Sequence, residues 1–263
     1  MKRRQFLAAT SAAGLGAMVQ GAGAQAADNA DAGGKRDVYE LRQYHLATEA
    51  QQARLDSFLE AAMVPALNRL GIEPVGVFHP EEGFSPTFVL LRHPDMASAA
   101  TLTNRLLADD AFLTAGADFL NTPADDPAYA RMAVSLFKAF AGMPRLERPV
   151  TSEGRVLQLR TYESPSVKTG QKKIEMFNIG EIDIFRASGL HPVFFGEALA
   201  GECMPNLTYM LAFKNQAERK ANWKTFVNSD AWKELSSKPE YADDKILSNI
   251  TNIFLKPAPC SQV

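Results

Sequence analysis

Alternating apolar and polar positions predict a β-strand at the start of each half of the body of the chain. Successive side chains of a strand point to opposite faces. In residues 38–46 one face carries Tyr39, Leu41 and Gln43, and the other carries Arg42 and Tyr44. Residues 154–163 repeat this pattern. Similar runs of β-forming residues predict further strands at 72–79, 87–92, 131–139, 190–196, 207–213 and 246–255.

A spacing of three to four residues between apolar positions predicts a helix after each first strand. In the first half this face holds Leu55, Phe58, Leu59, Ala62, Met63, Leu67 and Leu70, and in the second half Ile174, Phe177, Ile182 and Phe185. Gly71 and Gly189 follow as helix stop signals. Further helical stretches are expected at about 95–119 and 215–237.

The two halves are related by an internal duplication. Residues 38–44 (VYELRQY) reappear as 156–162 (VLQLRTY), and 71–75 (GIEPV) as 189–193 (GLHPV), both offset by 118. Each half has the order β-α-β-β-α-β, which is the ferredoxin-like arrangement. We predict an α+β fold in which two such repeats, 37–141 and 154–257, pack sheet to sheet as an α/β-barrel. Residues 142–153 form a linker and 258–263 a tail.

The second repeat contains the most specific motif of the chain. It reads PNLTYMLAF over 205–213, ERKANW over 218–223, and Phe226 followed by an Asp-x-Trp at 230–232. With LQLRTY at 157–162, this resembles the NIPSNAP family. The resemblance implies a dimeric α/β-barrel fold, in a superfamily that also holds small monooxygenases, haem-degrading proteins and lactone isomerases, and it implies no settled activity. The first copy departs from the motif, with Thr103 near the position of Trp223 and Phe112 in place of Trp232, so we interpret it as degenerate.

The N-terminus predicts an exported protein. Residues 3–7 (RRQFL) precede a weakly apolar Ala/Gly-rich stretch that ends in Ala24-Gln25-Ala26. This resembles a twin-arginine signal peptide of 1–26, with the general secretory route as the alternative. Residues 27–36 lack an apolar anchor and are expected to be a flexible tether. The mature protein is then periplasmic or otherwise exported.

Composition narrows the class of function. The 263 residues are 46% hydrophobic and 22% charged, with a net charge of −2. Without the first 26 residues the chain has 25 basic and 30 acidic residues, a net charge of −5. This excludes a disordered chain and argues against nucleic-acid binding, because no basic surplus is available for phosphates. We expect no membrane span in the mature protein.

Two arginines and two tyrosines are the first candidates for a ligand site. Arg42 and Tyr44 share a strand face, as do Arg160 and Tyr162. We expect the leucine-bearing face to meet the helices and the Arg/Tyr face to line the space between the sheets. A buried guanidinium beside a phenol can hold a carboxylate or an enolate. The alternative is that each arginine pairs with an internal acid such as Glu40 while each tyrosine packs.

Histidine–glutamate pairs are the second candidates. Glu73 and His79 share a face of one strand, and His191 and Glu197 share a face of its counterpart. If these faces meet inside the barrel, His and Glu pair across the pseudo-twofold axis and can serve in general acid/base catalysis. The alternative is a structural hydrogen bond or a solvated barrel mouth. His45 and His93, near strand ends, are expected at the surface.

The leading functional hypothesis is a protein that binds or transforms a small apolar or aromatic carbonyl or carboxylate compound. Arg42, Arg160, Glu73 and Glu197 would bind it, and His79, His191, Tyr44 and Tyr162 would act on it, by isomerisation or oxygenation. A haem or ligand carrier and a protein-interaction module are the alternatives. The sequence identifies no cofactor, metal site or oligomeric state, although a homo-oligomer fits the fold. Cys203 and Cys260 form either a disulfide or two free thiols.

Overall fold

The computed structural model describes residues 35–263, which form an α+β fold with eight strands. The predicted signal peptide (1–26) and most of the predicted tether lie outside the described residues. The strands are β1 (Val38–His45), β2 (Gly76–Pro80), β3 (Thr87–His93), β4 (Arg131–Ala139), β5 (Val156–Glu163), β6 (His191–Ala200), β7 (Asn206–Phe213) and β8 (Asn249–Pro257).

The strands close into one antiparallel barrel in the order β1-β3-β2-β8-β5-β7-β6-β4. Within each repeat the neighbours follow the order 4-1-3-2 of a ferredoxin-like sheet. The two sheets are joined edge to edge, because β2 pairs with β8 and β4 pairs with β6. Closure leaves neither sheet with a free edge. The predicted fold of two ferredoxin-like repeats forming a barrel is confirmed.

Ten α-helices lie on the outside of the described barrel. In the first repeat they are α1 (Glu49–Phe58), α2 (Val64–Arg69), α3 (Met96–Leu107), α4 (Asp110–Ala115) and α5 (Ala117–Leu120). In the second they are α6 (Val167–Met176), α7 (Ile182–Ala187), α8 (Gln216–Asn228), α9 (Asp230–Ser236) and α10 (Asp243–Ile246). None of the helices in residues 35–263 is long and apolar enough to cross a bilayer.

The duplication extends to the details of the helices. Thr48 and Ser166, which are 118 residues apart, cap α1 and α6 by accepting a hydrogen bond from a backbone N–H of the first turn. A π-helical turn joins α1 to α2 at Leu59–Met63, and another joins α6 to α7 at Phe177–Glu181. Both turns lie over the outer face of the sheet. They therefore set which side chains approach the outward residues of β1 and β5.

The barrel interior is packed with the leucine-bearing faces of β1 and β5, contrary to expectation. Leu41 and Leu159 join one buried apolar cluster, with Phe88, Phe194 and Leu255 from the other strands. Tyr44 and Tyr162 instead join the two clusters formed with the helices. The reason is space, since an eight-stranded barrel is only wide enough to be filled by side chains. Arg42 and Arg160 therefore lie outside the barrel, beneath the helices.

The linker and the tail close one end of this barrel. Val150 and Val263 are buried against the interior cluster, and Leu146 packs on it. The carboxylate of Asp37, which is fully buried, accepts hydrogen bonds from Arg92, Arg145 and the backbone N–H of Leu146. The linker is thus fixed to the start of β1.

Candidate binding site

A cavity of about 230 Å³ lies between the sheet of the first repeat and its helices. Arg42 and Tyr44, on the outward face of β1, supply its polar end. Its remaining walls are mostly apolar and come from the helices and from β4: Phe58, Met63, Thr103, Leu106, Leu107, Phe112, Phe119, Leu120, Tyr129 and Met132. A mainly apolar cavity with a few convergent polar groups is the usual form of a small-molecule site.

Arg42 is held in place by a chain of buried polar side chains. Its Nε donates to Oε1 of Glu40 at 2.6 Å, and Oε2 of Glu40 is 3.0 Å from Nε2 of His93. On the other side of the imidazole ring, Nδ1 of His93 is 3.1 Å from Oγ of Ser98, in the first turn of α3. His93 is fully buried, so the expectation that it lies at the surface is wrong. Its place at the end of β3, opposite Val38, brings it under α3.

The charges at this end of the cavity compensate one another. Burial by itself would raise the pKa of Glu40, but the bonds to His93 and Arg42 outweigh it and lower that pKa. Burial also opposes the charge on Arg42, yet Tyr44 and Glu40 raise its pKa. Burial raises the pKa of Tyr44. The site therefore holds a cation, an anion and a neutral phenol.

The same space in the second repeat is filled. Nη2 of Arg160 donates to the Tyr162 hydroxyl at 3.0 Å, and that hydroxyl is 3.0 Å from the hydroxyl of Tyr209. The guanidinium also lies over the Trp223 ring, 4.9 Å from its centre. Aromatic rings occupy the surrounding volume, among them Phe177, Phe185, Phe195 and Phe226. Arg160 and Tyr162 thus contact protein groups where Arg42 and Tyr44 face a cavity.

A buried ion pair accompanies this packing. Nζ of Lys173 on α6 lies 3.3 Å from Oε2 of Glu181 in the π-helical turn, and both side chains are almost completely buried. Burial raises the pKa of Glu181 to about 7 despite the nearby Lys173. Asp243 on α10 lies 3.5 Å from the same ammonium group and is largely exposed. Sequence patterning alone missed this pair, because Lys173 stands where a helix face is otherwise apolar.

The structure does not bring together the histidines and glutamates that were expected to pair. Glu73 is exposed and precedes β2, while Glu197 contacts Gln171 on α6. β2 and β6 lie on opposite sides of the barrel, so the cross-axis pairing is wrong. A bulge in β6 also separates His191, opposite the inward-facing Ala212, from Glu197, opposite the outward-facing Leu207. His191 begins β6 and is half-buried.

His79 has structural contacts of its own. Its Nδ1 lies 3.0 Å from the Gln52 amide and 3.2 Å from the Thr87 hydroxyl, and its Nε2 lies 3.3 Å from Asp56. These partners fix β2 against α1. Cys203 and Cys260 are free thiols, and residues 35–263 contain no cluster of three or more potential metal ligands.

Solved structures with the same fold differ widely in sequence. A candidate monooxygenase from Lactobacillus acidophilus NCFM is 10% identical with a TM-score of 0.57, covering 84% of this chain and 94% of that one. A candidate monooxygenase from Fusobacterium nucleatum subsp. nucleatum ATCC 25586 is 6% identical with a TM-score of 0.54, covering 84% and 92%. An anthrone oxidase-like protein is 6% identical with a TM-score of 0.51, covering 85% and 92%.

The family assignment rests on sequence. No curated protein matches the chain. The NIPSNAP family model matches residues 39–122 and 157–262, which is well over half of the chain and falls once on each repeat. With the repeated ferredoxin-like sheets closed into one barrel, this match establishes that the chain belongs to the NIPSNAP family.

Proposed function

We propose that this protein binds a small apolar or aromatic carbonyl or carboxylate compound in the cavity of the first repeat. The observation that carries the proposal is the cavity of about 230 Å³ with a guanidinium and a phenol at one end of mainly apolar walls. Both Arg42 and Tyr44 carry hydrogen-bond donors, and the Tyr44 hydroxyl has no bond to a second tyrosine hydroxyl of the kind that joins Tyr162 to Tyr209 in the described part of the chain. The apolar walls accept the ring or hydrocarbon part of the ligand.

We propose further that the bound compound is activated at its oxygen. A guanidinium and a phenol directed at a carbonyl oxygen stabilise the negative charge that develops when an adjacent carbon loses a proton. Such charge forms in isomerisation, where the proton returns to another carbon of the ligand, and in oxygenation of phenolic or enolisable substrates, where dissolved O₂ is the oxidant and solvent accepts the proton. The names of the structural neighbours, two candidate monooxygenases and an anthrone oxidase-like protein, support oxygenation as the reaction to test first.

The placement of the histidines disfavours a haem carrier. Neither His79 nor His191 lines the first-repeat cavity, and His79 is bonded to Gln52, Thr87 and Asp56 within the helix–sheet layer. An axial ligand needs a nitrogen directed at the iron.

Native mass spectrometry of the full chain tests for a retained ligand. The mass of the assembly in the same spectrum tests the predicted homo-oligomer. Binding is then measured by calorimetry with 2-naphthoate, 2-naphthol and naphthalene. We expect naphthoate to bind most tightly, and Arg42→Gln to weaken it by about tenfold or more, the usual effect of losing a charged hydrogen bond. Arg160→Gln is the matched control, since the equivalent arginine is packed against Tyr162 and Trp223. Equal losses in both variants would contradict the proposal.

We also propose that residues 1–26 direct export by the twin-arginine route. The support is the sequence Arg3-Arg4-Gln5-Phe6-Leu7 ahead of the Ala/Gly-rich stretch. A double Arg3→Lys, Arg4→Lys variant should accumulate inside the cell in a fractionation experiment, while the general secretory route tolerates it. Unchanged export of the variant would assign the protein to that second route.

A further inference from the structure

A second cavity opens at the end of the barrel opposite the linker and the tail. We call it the barrel mouth; its volume is about 150 Å³. Its floor is the top of the interior cluster and consists of Leu41, Phe88, Phe137, Leu159 and Ile253. This site differs from the first-repeat cavity, because the two lie on opposite faces of β1 and share no lining residue.

Strand alternation explains why the mouth is apolar below and polar above. Gln43 and Thr161 are the next inward-facing residues after Leu41 and Leu159, and they occupy equivalent positions of the two repeats. The hydroxyl of Thr161 lies 2.9 Å from that of Thr208. Both repeats thus contribute to one rim around the pseudo-twofold axis.

The rim has hydrogen-bonding capacity to spare. Gln43, Ser135 and Thr251 line the mouth, and their side chains make no hydrogen bond to another residue of the described part of the chain. Asn206, in contrast, holds the β6–β7 loop by donating to the carbonyl oxygens of Glu202 and Cys203. The loop is therefore positioned over the mouth while other rim groups remain available to a ligand.

The charge of the lining selects among ligands. Glu163 and Glu202 both line the mouth, and none of its lining residues is Lys, Arg or His. One oxygen of Glu163 accepts from the Asn249 amide at 2.8 Å, which leaves its second oxygen for a further donor. A carboxylate ligand would meet like charge here, whereas an ammonium group would be attracted.

We propose that the barrel mouth is a binding site for a small primary amine with an aromatic or branched aliphatic tail. The tail lies on the apolar floor and the ammonium group donates to Glu163 and Glu202. A cavity of this volume with apolar walls holds one benzene-sized ring. The site selects cations, whereas the first-repeat cavity, with Arg42 and Tyr44, selects anions and carbonyl oxygens.

Binding of benzylamine to the full-length protein tests the proposal, with benzyl alcohol and benzoate as ligands of the same shape and different charge. Calorimetry gives the affinities. The thiol of Cys203, exposed at the rim, reports the location, because a ligand in the mouth slows its alkylation in a Cys260→Ser background. We expect benzylamine to bind and to protect Cys203, benzyl alcohol to bind more weakly, and benzoate to do neither. Absence of benzylamine binding, or equal binding of all three ligands, overturns the proposal.

Three variants locate the interaction further. Glu163→Gln keeps the acceptor for Asn249 and should weaken benzylamine binding about threefold to tenfold, as should Glu202→Gln. Thr251→Phe, at an exposed rim position, should block the mouth and abolish binding. Glu153→Gln removes an exposed carboxylate of the linker, at the opposite end of the barrel, and is the matched control. If the control weakens benzylamine as much as the rim variants, the attraction comes from net charge alone and the site is rejected.

Discussion

Met63 and Glu181 stand at equivalent positions of the two repeats, 118 residues apart, each as the last residue of its π-helical turn. Leu55 and Lys173 are equivalent in the same way. In the first repeat Met63 forms a wall of the open cavity, and in the second Glu181 pairs with Lys173. These two positions thus hold apolar residues in the first repeat, where the cavity is open, and a buried ion pair in the second repeat, where the same space is filled.

The buried carboxylate of each repeat stands at a different position. Arg42 is bonded to Glu40 on its own strand, and the residue equivalent to Glu40 is Gln158. In the second repeat the buried acid lies in the helix layer instead, as Glu181, and it is paired with Lys173. The first repeat therefore keeps its carboxylate at the sheet and leaves the space under the helices open.

Replacing Lys173 and Glu181 by their first-repeat equivalents tests how the buried ion pair affects stability. Glu181→Met leaves Lys173 buried without its closest acid and should destabilise the protein by about 3 kcal/mol, the lower end for breaking a buried ion pair. The double variant Lys173→Leu, Glu181→Met reproduces the apolar pair of the first repeat and should recover most of that loss. Denaturant unfolding at pH 8, where Glu181 is ionised, measures both. A double variant no more stable than Glu181→Met alone would contradict this explanation, because the loss would then not come from the unpaired charge of Lys173.

The raised pKa of Glu181 predicts a specific pH dependence. The folded state holds this proton up to about pH 7, whereas an unfolded glutamate releases it near its ordinary pKa of 4.5. The folded state thus binds more protons in this window, so the stability contributed by Glu181 falls as pH rises from about 4.5 to 7. The slope from one group is at most about 1.4 kcal/mol per pH unit.

Glu181→Gln provides the comparison, since an amide resembles the protonated acid and does not titrate. The free energy of unfolding of the wild type minus that of the variant should decrease between pH 4.5 and 7 and level off above pH 7. A constant difference across this window would mean that burial does not hold the proton on Glu181.

Sequence patterning predicted the fold well because the duplication and the alternation are both local signals. The order of elements in each repeat followed from matches such as VYELRQY and VLQLRTY. Alternation also placed Arg42 with Tyr44 and Arg160 with Tyr162. It could not tell which face turned inwards, because helices cover the outside of the barrel and β1 is buried on both faces. The inward choice depends on barrel width, which favours leucine over a paired arginine.

Strand alternation also predicted part of the candidate site. Arg42 and Tyr44 do share a polar site, and the internal acid expected as the alternative, Glu40, does bind Arg42. The roles of Lys173, Glu181 and His93 depend on contacts between distant segments, which periodicity does not report. The family motif in the second repeat also did not indicate where the cavity lies. The second repeat matches the family motif more closely, yet the open space of about 230 Å³ lies in the first repeat.

Filling the first-repeat cavity should remove ligand binding without unfolding the protein. Leu107 lines the cavity and is 56% exposed, so Leu107→Trp can be accommodated by the surface while its ring enters the opening. We expect 2-naphthoate binding to weaken by at least about tenfold, with stability changed by no more than about 0.5 kcal/mol. Leu113→Trp, at a 37% exposed leucine outside the lining, is the control. Equal binding by both variants would place the ligand elsewhere.

Glu40 should set the charge preference of the cavity as well as the position of Arg42. Its lowered pKa means that the folded state holds this proton less tightly than the unfolded state. The stability it contributes is therefore present above about pH 4.5 and is lost as the pH falls below that value. Acid unfolding should be less steep in Glu40→Gln, and this is measured by denaturant unfolding between pH 3 and 6.

The relative affinity for a charged and a neutral ligand shows whether Glu40 acts on the cavity through its charge or only through its structural contacts. Glu40→Gln removes the anion that compensates Arg42, so the cavity gains net positive charge. We expect the affinity ratio of 2-naphthoate to the neutral 2-naphthol to rise severalfold at pH 7. His93→Gln keeps the charge of Glu40 while removing the imidazole, and should lower stability with little change in that ratio. If the two variants shift the ratio equally, the orientation of Arg42, and not the charge of Glu40, determines which ligand is bound.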